Sequence, residues 1–206
     1  SHDYFAGERK IIANMANTFN VSNAWLKCME LVVQLDLLPE KALHFDNAAF
    51  PGSFILSTHH IATSRGDKYQ WKASSLLGQN EKVSPLMDSY SLFKNFPSHF
   101  LMNENNNGDV TLRKNQLDFQ RQLGGVVDLY TSDLGFDCSS DYNNQEALHA
   151  AANLGQCTSG LLTLKAGGNF ITKQYTFFEP FTVSLIYLLS CLFNKAPFVT
   201  TFSKPK

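Results

Sequence analysis

Three stretches of this chain hold residues that could do chemistry, and each lies at or beside the end of an apolar, strand-like run. Asp46-Asn47-Ala48-Ala49-Phe50-Pro51-Gly52-Ser53-Phe54 follows the first run, Asp133 ends the second, and Lys173 lies within a third that comes after Gly167-Gly168. Carboxylates and amines are the groups that accept, release or orient protons. Gly52, lacking a Cβ, lets backbone approach a ligand closely. Taken singly, each has an ordinary structural reading. Pro-Gly makes a turn, a strand-end Asp caps a helix, and a strand Lys faces solvent. Their joint order along one chain is what carries weight.

The elements that must position these residues alternate between strand and helix. From Ser22, a plausible N-cap, Trp25, Cys28, Met29, Val32 and Leu35 recur at steps of three and four, one face of a helix that stops before Pro39. Ala42 to Phe45 reads as a strand, followed by a tight loop and a helix. Residues 57 to 108 are polar and weakly periodic, and end in the Asn-rich stretch Asn103 to Gly108. Val126, Val127 and Leu129 form a second strand that stops at Thr131-Ser132-Asp133. A helix is predicted over Gln145 to Lys165, with Gly167-Gly168 as its stop. Asn169 to Tyr175 alternates as a strand, Pro180 opens an apolar helix, and Phe198 to Phe202 is again β-prone. This order predicts an α/β fold with a mostly parallel central sheet and helices on both faces. Ligands then bind beyond the carboxyl ends of the strands, where the three stretches lie.

Composition narrows the function classes. The chain has 206 residues, 44% of them hydrophobic and 17 of them Phe, which suits one folded domain. A net charge of −1 rules out holding nucleic acid by bulk positive charge, so any RNA contact needs local patches such as Arg65, Lys68 and Lys72, or Arg113 and Lys114. Cys28, Cys138, Cys157 and Cys191 are far apart, and His59-His60 are adjacent. That spacing suits buried thiols in a reducing compartment and predicts no metal site. The apolar run Phe181 to Phe193 is shorter than the roughly 20 residues of a bilayer crossing, and no signal segment opens the chain, so no membrane partner and a cytoplasmic location are expected.

From about residue 22 onward the chain resembles the FtsJ-type RNA ribose 2′-O-methyltransferases, most closely the branch that modifies mRNA caps. Ser22-Asn23-Ala24-Trp25-Leu26-Lys27-Cys28-Met29-Glu30-Leu31 resembles the family's Ser-Arg-Ala-aromatic-x-Lys-Leu-x-Glu-Ile helix, and Ala49 to Phe54 its Ala-Gly-Pro-Gly-Gly-Phe cofactor loop. Gly108-Asp109-Val110-Thr111 is similar to the Gly-Asp-Ile-Thr of the cap branch. Ser132-Asp133-Leu134-Gly135-Phe136 is similar to Ala-Asp-Gly-Gly-Phe, with Asn143 to Glu146 matching the Asn-x-Gln-Glu that follows. The most specific likeness is Gly167-Gly168-Asn169-Phe170-Ile171-Thr172-Lys173, then Phe178-x-Pro180-Phe181 and Ile186-Tyr187-Leu188-Leu189.

The resemblance implies a Rossmann-like methyltransferase fold that uses S-adenosylmethionine to methylate the first transcribed nucleotide of capped mRNA. It assigns Lys27, Asp133 and Lys173 to the family's Lys-Asp-Lys-Glu tetrad. Lys173 would take the proton of the ribose hydroxyl, helped by burial and by the charge of Lys27, while Asp133 orients the ammonium groups. It places the cofactor against Ala48, Ala49, Phe50, Pro51, Gly52, Ser53, Phe54, Asp109 and Val110, and the substrate RNA against Asn143 and Lys173. Aromatic side chains and local basic groups would grip the cap's base and phosphates. Three departures stand out: Phe50 replaces a small residue, Leu134 replaces a glycine, and the Ser-Arg-Pro-x-Asn-Ser-Glu segment that carries the tetrad's glutamate is absent before Lys206. A single domain spanning residues 1–206, truncated or disordered before its final strands, is therefore expected. Abundant Asn, Phe and Lys is similar to versions encoded by large cytoplasmic DNA viruses, which implies the host cytoplasm, a viral factory or the virion. The rival from another class is a non-catalytic RNA-binding or scaffold protein with a degenerate cofactor pocket. Ribosomal or transfer RNA is the rival substrate, and a nicotinamide-dependent oxidoreductase is disfavoured because no GxGxxG follows the first strand.

Overall fold

In β1 (Lys41–Asn47) every residue but Lys41 is at least half-buried, and in β3 (Val127–Ser132) all six are buried. Such runs belong in the middle of a parallel sheet covered on both faces. The computed structural model, which describes residues 6–15, 20–78, 81–135, 149–174, 177–199 and 201, places them there. The sheet order is β2-β1-β3-β4, with β2 (Lys68–Ser74) and β4 (Leu164–Thr172) outside, and every pairing is parallel.

One face carries α2 (Asn23–Gln34) and α3 (Ser53–Arg65), whose Cys28, Val32, Phe54, Ile61 and Ala62 pack on Ala42 and Leu129. The opposite face carries α5 (Arg113–Leu123), whose Phe119 and Leu123 pack on Phe45 and Tyr130. Next to it, α6 (Ala150–Thr163) seats Cys157 against Leu185 and Leu189 of α7 (Pro180–Leu192). Beside β2, Trp71 and Ala73 meet Leu92 of the short α4 (Leu92–Asn95), together with Phe100 and Ile55. α1 (Ala6–Met15) precedes the sheet. The expected α/β architecture is therefore observed, and the Ser22 cap forms as predicted, its hydroxyl accepting the Trp25 N–H at 3.1 Å.

The weakly periodic stretch 57–108 holds the rest of α3, which runs on to Arg65, and β2 follows at once. One sequence expectation is revised. Gly167 and Gly168 do not stop a helix. α6 ends at Thr163 and both glycines lie inside β4, where the register slips so that Val127 pairs with Leu164 and Leu129 with Asn169. A Cβ on Gly168 would meet Leu164 at 2.8 Å and the Val127 carbonyl at 3.0 Å, so glycine is what lets the bulged strand lie flat. The predicted start of the preceding helix at Gln145, and Asn143, fall outside the described residues.

A polar ladder crosses the α2/α3 face of the sheet inside this core. Tyr69 Oη and His44 Nδ1 are 2.7 Å apart, His44 Nε2 and Thr131 Oγ1 are 2.6 Å apart, and the Thr131 hydroxyl donates to Asp46 Oδ1 at 2.6 Å. Because Thr131 gives its one proton to Asp46, it accepts from His44. Nε2 therefore carries the imidazole proton and Nδ1 accepts from Tyr69. Burial holds His44 down at about 3 and raises the Tyr69 phenol, so both are neutral. Burial pushes Asp46 up to about 8; the Thr131 bond opposes this and the charge of Asp133 adds to it.

The folded chain thus keeps a proton on Asp46 that the unfolded chain releases above its ordinary value of 3.8. Stability from this group falls as pH rises towards about 8 and is level beyond. His44 acts in the opposite sense, losing stability as pH drops from 6.5 towards about 3. Asp46→Asn keeps the oxygen that accepts from Thr131. Its stability advantage over the parent chain is expected to grow by about 1.4 kcal/mol per unit between roughly pH 5 and pH 8, read by urea denaturation across that range. A difference that stays constant with pH would mean an ionised Asp46. In the same assay Phe119→Ala, which removes a fully buried ring set edge-on to Phe45 at 5.3 Å, is expected to lose about 3–5 kcal/mol.

Candidate active site

The carboxyl ends of β1, β3 and β4 converge on one small cleft of about 60 Å³. Its floor is Asp46 and Asp133, one wall is Ala48, Ala49, Phe50 and Pro51, and the other is Ser53 and Phe54 of α3 with Ala24 of α2. β3 and β4 pair in register at Ser132↔Thr172, and the Lys173 N–H continues that ladder to the Ser132 carbonyl at 3.0 Å. One residue further along each chain, Lys173 Nζ meets Asp133 Oδ1 at 2.7 Å and donates to the Asp133 carbonyl at 3.2 Å. From α6, Gln156 Nε2 donates to the Lys173 carbonyl at 3.3 Å and to Asn153 Oδ1 at 3.0 Å.

The loop after β1 is stitched to the end of β2. The Ala49 N–H donates to the Ser74 carbonyl at 2.9 Å, and the Phe50 N–H donates to Ser75 Oγ at 2.9 Å. Gly52, with φ +112°, turns the chain into α3, and a Cβ there would strike Leu92 Cδ1 at 2.2 Å. Phe50 turns its ring into the β2-side aromatic cluster, stacking on Phe100 at 5.4 Å and meeting Phe93 edge-on at 6.4 Å. Leu92 and Phe50 together keep the cleft small on that side.

Lys27 lies on α2, half-buried, one turn after the cleft-lining Ala24. α2 is fixed to α3 by the Ser22 and Ser53 hydroxyls, 2.8 Å apart. It is also fixed by the Cys28 thiol, which lies 3.4 Å from Thr58 Oγ1. Burial pushes that thiol up to about 12; Thr58 opposes this, and the nearby Asp46 and Asp133 add to it. The sequence-predicted residues Asp133, Lys173 and Ala48 to Phe54, apart from Gly52, either line the cleft or touch its floor.

Asp109 and Val110 do not line it. Asp109 Oδ1 accepts from the Thr111 N–H at 2.9 Å and hydroxyl at 2.7 Å, and Val110 is buried with its carbonyl against Gly155 of α6. Their loop reaches the cleft's neighbourhood through Gly108, whose missing Cβ would lie 1.9 Å from the Ser75 carbonyl. Sequence reasoning did not single out Thr131, His44 or Gln156, and it treated Asp46 only as the start of a loop. A polar residue on every second position of a buried strand was the signal available for the first two. Asn143 lies outside the described residues, and among those described no cluster of three or more His, Cys, Asp and Glu could hold a metal.

The donor set matches one end of a sulfonium cofactor. Two carboxyls suit a sulfonium and an ammonium, and the unpaired N–H groups of the first turn of α3 suit a carboxylate. The cleft's size admits that charged end alone, so the remainder of such a molecule would lie outside it.

Comparison with known proteins gives the same class. The African swine fever virus (isolate Pig/Kenya/KEN-50/1950) protein named "Probable methyltransferase EP424R" is 36% identical over 208 residues, covering 95% of this chain and 49% of that protein. "Cap-specific mRNA (nucleoside-2'-O-)-methyltransferase 2" of Mus musculus is 31% identical over 203 residues, covering 90% of this chain and 26% of that protein. "Uncharacterized protein L511" of Acanthamoeba polyphaga mimivirus is 30% identical over 212 residues, covering 95% and 27%. The chain thus spans about half the length of the first of these relatives and about a quarter of the others. The family model described as FtsJ-like methyltransferase matches residues 20–205, nearly the whole sequence, and the chain belongs to that family.

Proposed function

We propose that this chain is the catalytic domain of an S-adenosylmethionine-dependent mRNA cap ribose 2′-O-methyltransferase acting on the first transcribed nucleotide. The observation that carries the reading is the Lys173–Asp133 ion pair at the mouths of adjacent parallel strands, beside the loop that leads into α3. The bound cofactor supplies an electrophilic methyl group. Asp133, holding Nζ through both its carboxylate and its carbonyl, fixes the Lys173 amine where a ribose hydroxyl can give up its proton. Lys27, on the neighbouring helix α2 one turn after the cleft-lining Ala24, is the second lysine of the set in this reading. Ser53, Phe54 and the loop from Ala48 to Gly52 hold the charged end of the cofactor. Asp109 and Val110, buttressed on Ser75 through Gly108, stand on the side where a ribose diol would lie. Asn143 completes the RNA contact in this reading.

The cap is favoured as substrate because the mouse relative bears a cap-specific name and the Gly-Asp-Val-Thr and Phe-x-Pro-Phe stretches resemble the cap branch. No helix among the described residues is long and apolar enough to cross a membrane; together with the viral relatives this supports action in a host cytoplasm. One observation favours a second reading, a non-catalytic RNA-binding or scaffold role: Leu92 lies against Gly52 where backbone approach was expected. Titration calorimetry of the full-length protein with S-adenosylmethionine separates the two, a silent titration selecting the scaffold.

The test of the first reading is transfer of labelled methyl to RNA carrying a 7-methylguanosine cap. Uncapped RNA should accept little, and a cap analogue should compete. Lys173→Ala is expected to lose about 10²–10⁴-fold in transfer rate while binding the cofactor within a few-fold of the parent. Full transfer by that variant would refute the assignment.

A further inference from the structure

Among the described residues, Asp46 is the acid in the cleft with no cation paired to it. Lys173 is engaged by Asp133, while the polar partner of Asp46 is the Thr131 hydroxyl, on one oxygen alone. Asp46 is 2% exposed yet lines the cleft. Each packed element faces it with a group that brings no counter-charge of its own. From β1 comes neutral His44, from β3 the Thr131 hydroxyl, from β2 the protonated Tyr69 and from α2 the Cys28 thiol. Among the described residues, the charged groups nearby are Asp133 with its partner Lys173, and Lys27 on α2. A carboxyl so enclosed, next to a second carboxylate, is stable as the acid until a positive charge arrives.

We propose that Asp46, oriented from behind by Thr131 and His44, receives the positively charged end of the cofactor and sheds one proton as that end seats. The inference rests on the cofactor reading above. The Asp46 O–H bond breaks, its proton leaves to solvent, and the carboxylate that remains pairs with the incoming cation. The cleft gains one positive charge and loses one, so no net charge is buried. Thr131 and His44 are positioning residues. The ladder commits Oδ1 to the Thr131 hydroxyl and leaves Oδ2 for the ligand, and that hydroxyl also stabilises the ionised form.

The experiment is calorimetric titration of S-adenosylmethionine into the full-length protein at pH 7, in phosphate and in Tris, whose ionisation enthalpies differ. The amino group of the ligand titrates near the same pH, at about 7.7–8.0, so the quantity read is the difference between the parent and Asp46→Asn. About one more proton released by the parent is expected. Parent affinity should also rise close to tenfold per pH unit between pH 6 and pH 7, flattening near pH 8. Thr131→Val should bind about tenfold more weakly at pH 7 and reach its plateau at higher pH, a shift that general loosening of the fold would not produce. Equal proton release by parent and Asp46→Asn overturns the proposal and leaves the cofactor reading standing. Absence of saturable binding by the parent from pH 6 to pH 9 overturns both. Should Asp46→Asn fail to fold by circular dichroism, a parent affinity that is flat between pH 6 and pH 8 overturns the proposal in its place.

Discussion

The pairing of β3 with β4 sets the geometry of everything at the cleft. Because Ser132 faces Thr172 in a parallel ladder, the next residue on each strand, Asp133 and Lys173, leaves the sheet side by side and pointing the same way. The two residues are 40 apart in sequence, and the connection between them includes the buried helix α6. A slip of one residue in either strand would turn one of the pair to the opposite face. The register is held on the far face by Tyr130, which packs on Phe170 at 5.1 Å and donates to the Gln156 carbonyl at 2.7 Å. Gln156 in turn reaches the Lys173 carbonyl, so a single helix fixes both strands.

That arrangement divides the charge unevenly. Two carboxyls share the cleft floor, and the Lys173 ammonium belongs to Asp133. Like charges at close range in a medium poor in water cannot both ionise without compensation. The fold answers by surrounding Asp46 with neutral hydrogen-bonding groups instead of a second cation. Each member of the Tyr69–His44–Thr131–Asp46 ladder is buried at its polar end and each interior link is made. A broken link would leave a buried polar atom at a cost of about 1–3 kcal/mol. The ladder spans β2, β1 and β3, and therefore ties the edge strand to the cleft.

Much of this was legible in the sequence and some was not, for physical reasons. The Ser22 cap, the helix bearing Lys27, the strands before Asp46 and Asp133 and the loop around Gly52 all announce themselves through local rules of spacing, capping and glycine placement. β2 was harder to see, because at the sheet edge its Lys68 and Gln70 face solvent and dilute the apolar signal. α3 was masked in another way. Its buried positions include Ser53, Ser57 and Thr58 alongside Phe54 and Ile61, so hydrophobicity alone shows no stripe. The polar alternation within the strands was visible but not its meaning, because His44 finds its partners Tyr69 and Thr131 25 and 87 positions away. The double glycine read as a helix stop since such residues end helices more often than they bulge a strand.

Phe50 illustrates how a departure at one position is absorbed by its surroundings. A large ring placed after Ala48 and Ala49 could have filled the cleft. The Phe50 N–H instead bonds Ser75 Oγ, and the ring stacks on Phe100 while Phe93 and Trp71 meet Phe100 edge-on. Aromatic pairs in such offset and edge-on arrangements gain about 0.5–1.5 kcal/mol each beyond the area they bury. That preference pulls the ring towards β2 and α4 and away from Asp46. The same cluster includes Leu92, which lies against Gly52. Phe50 thus bounds the cleft on the α4 side without disturbing the floor, where the register of β1 against β3 keeps Asp46 opposite Thr131.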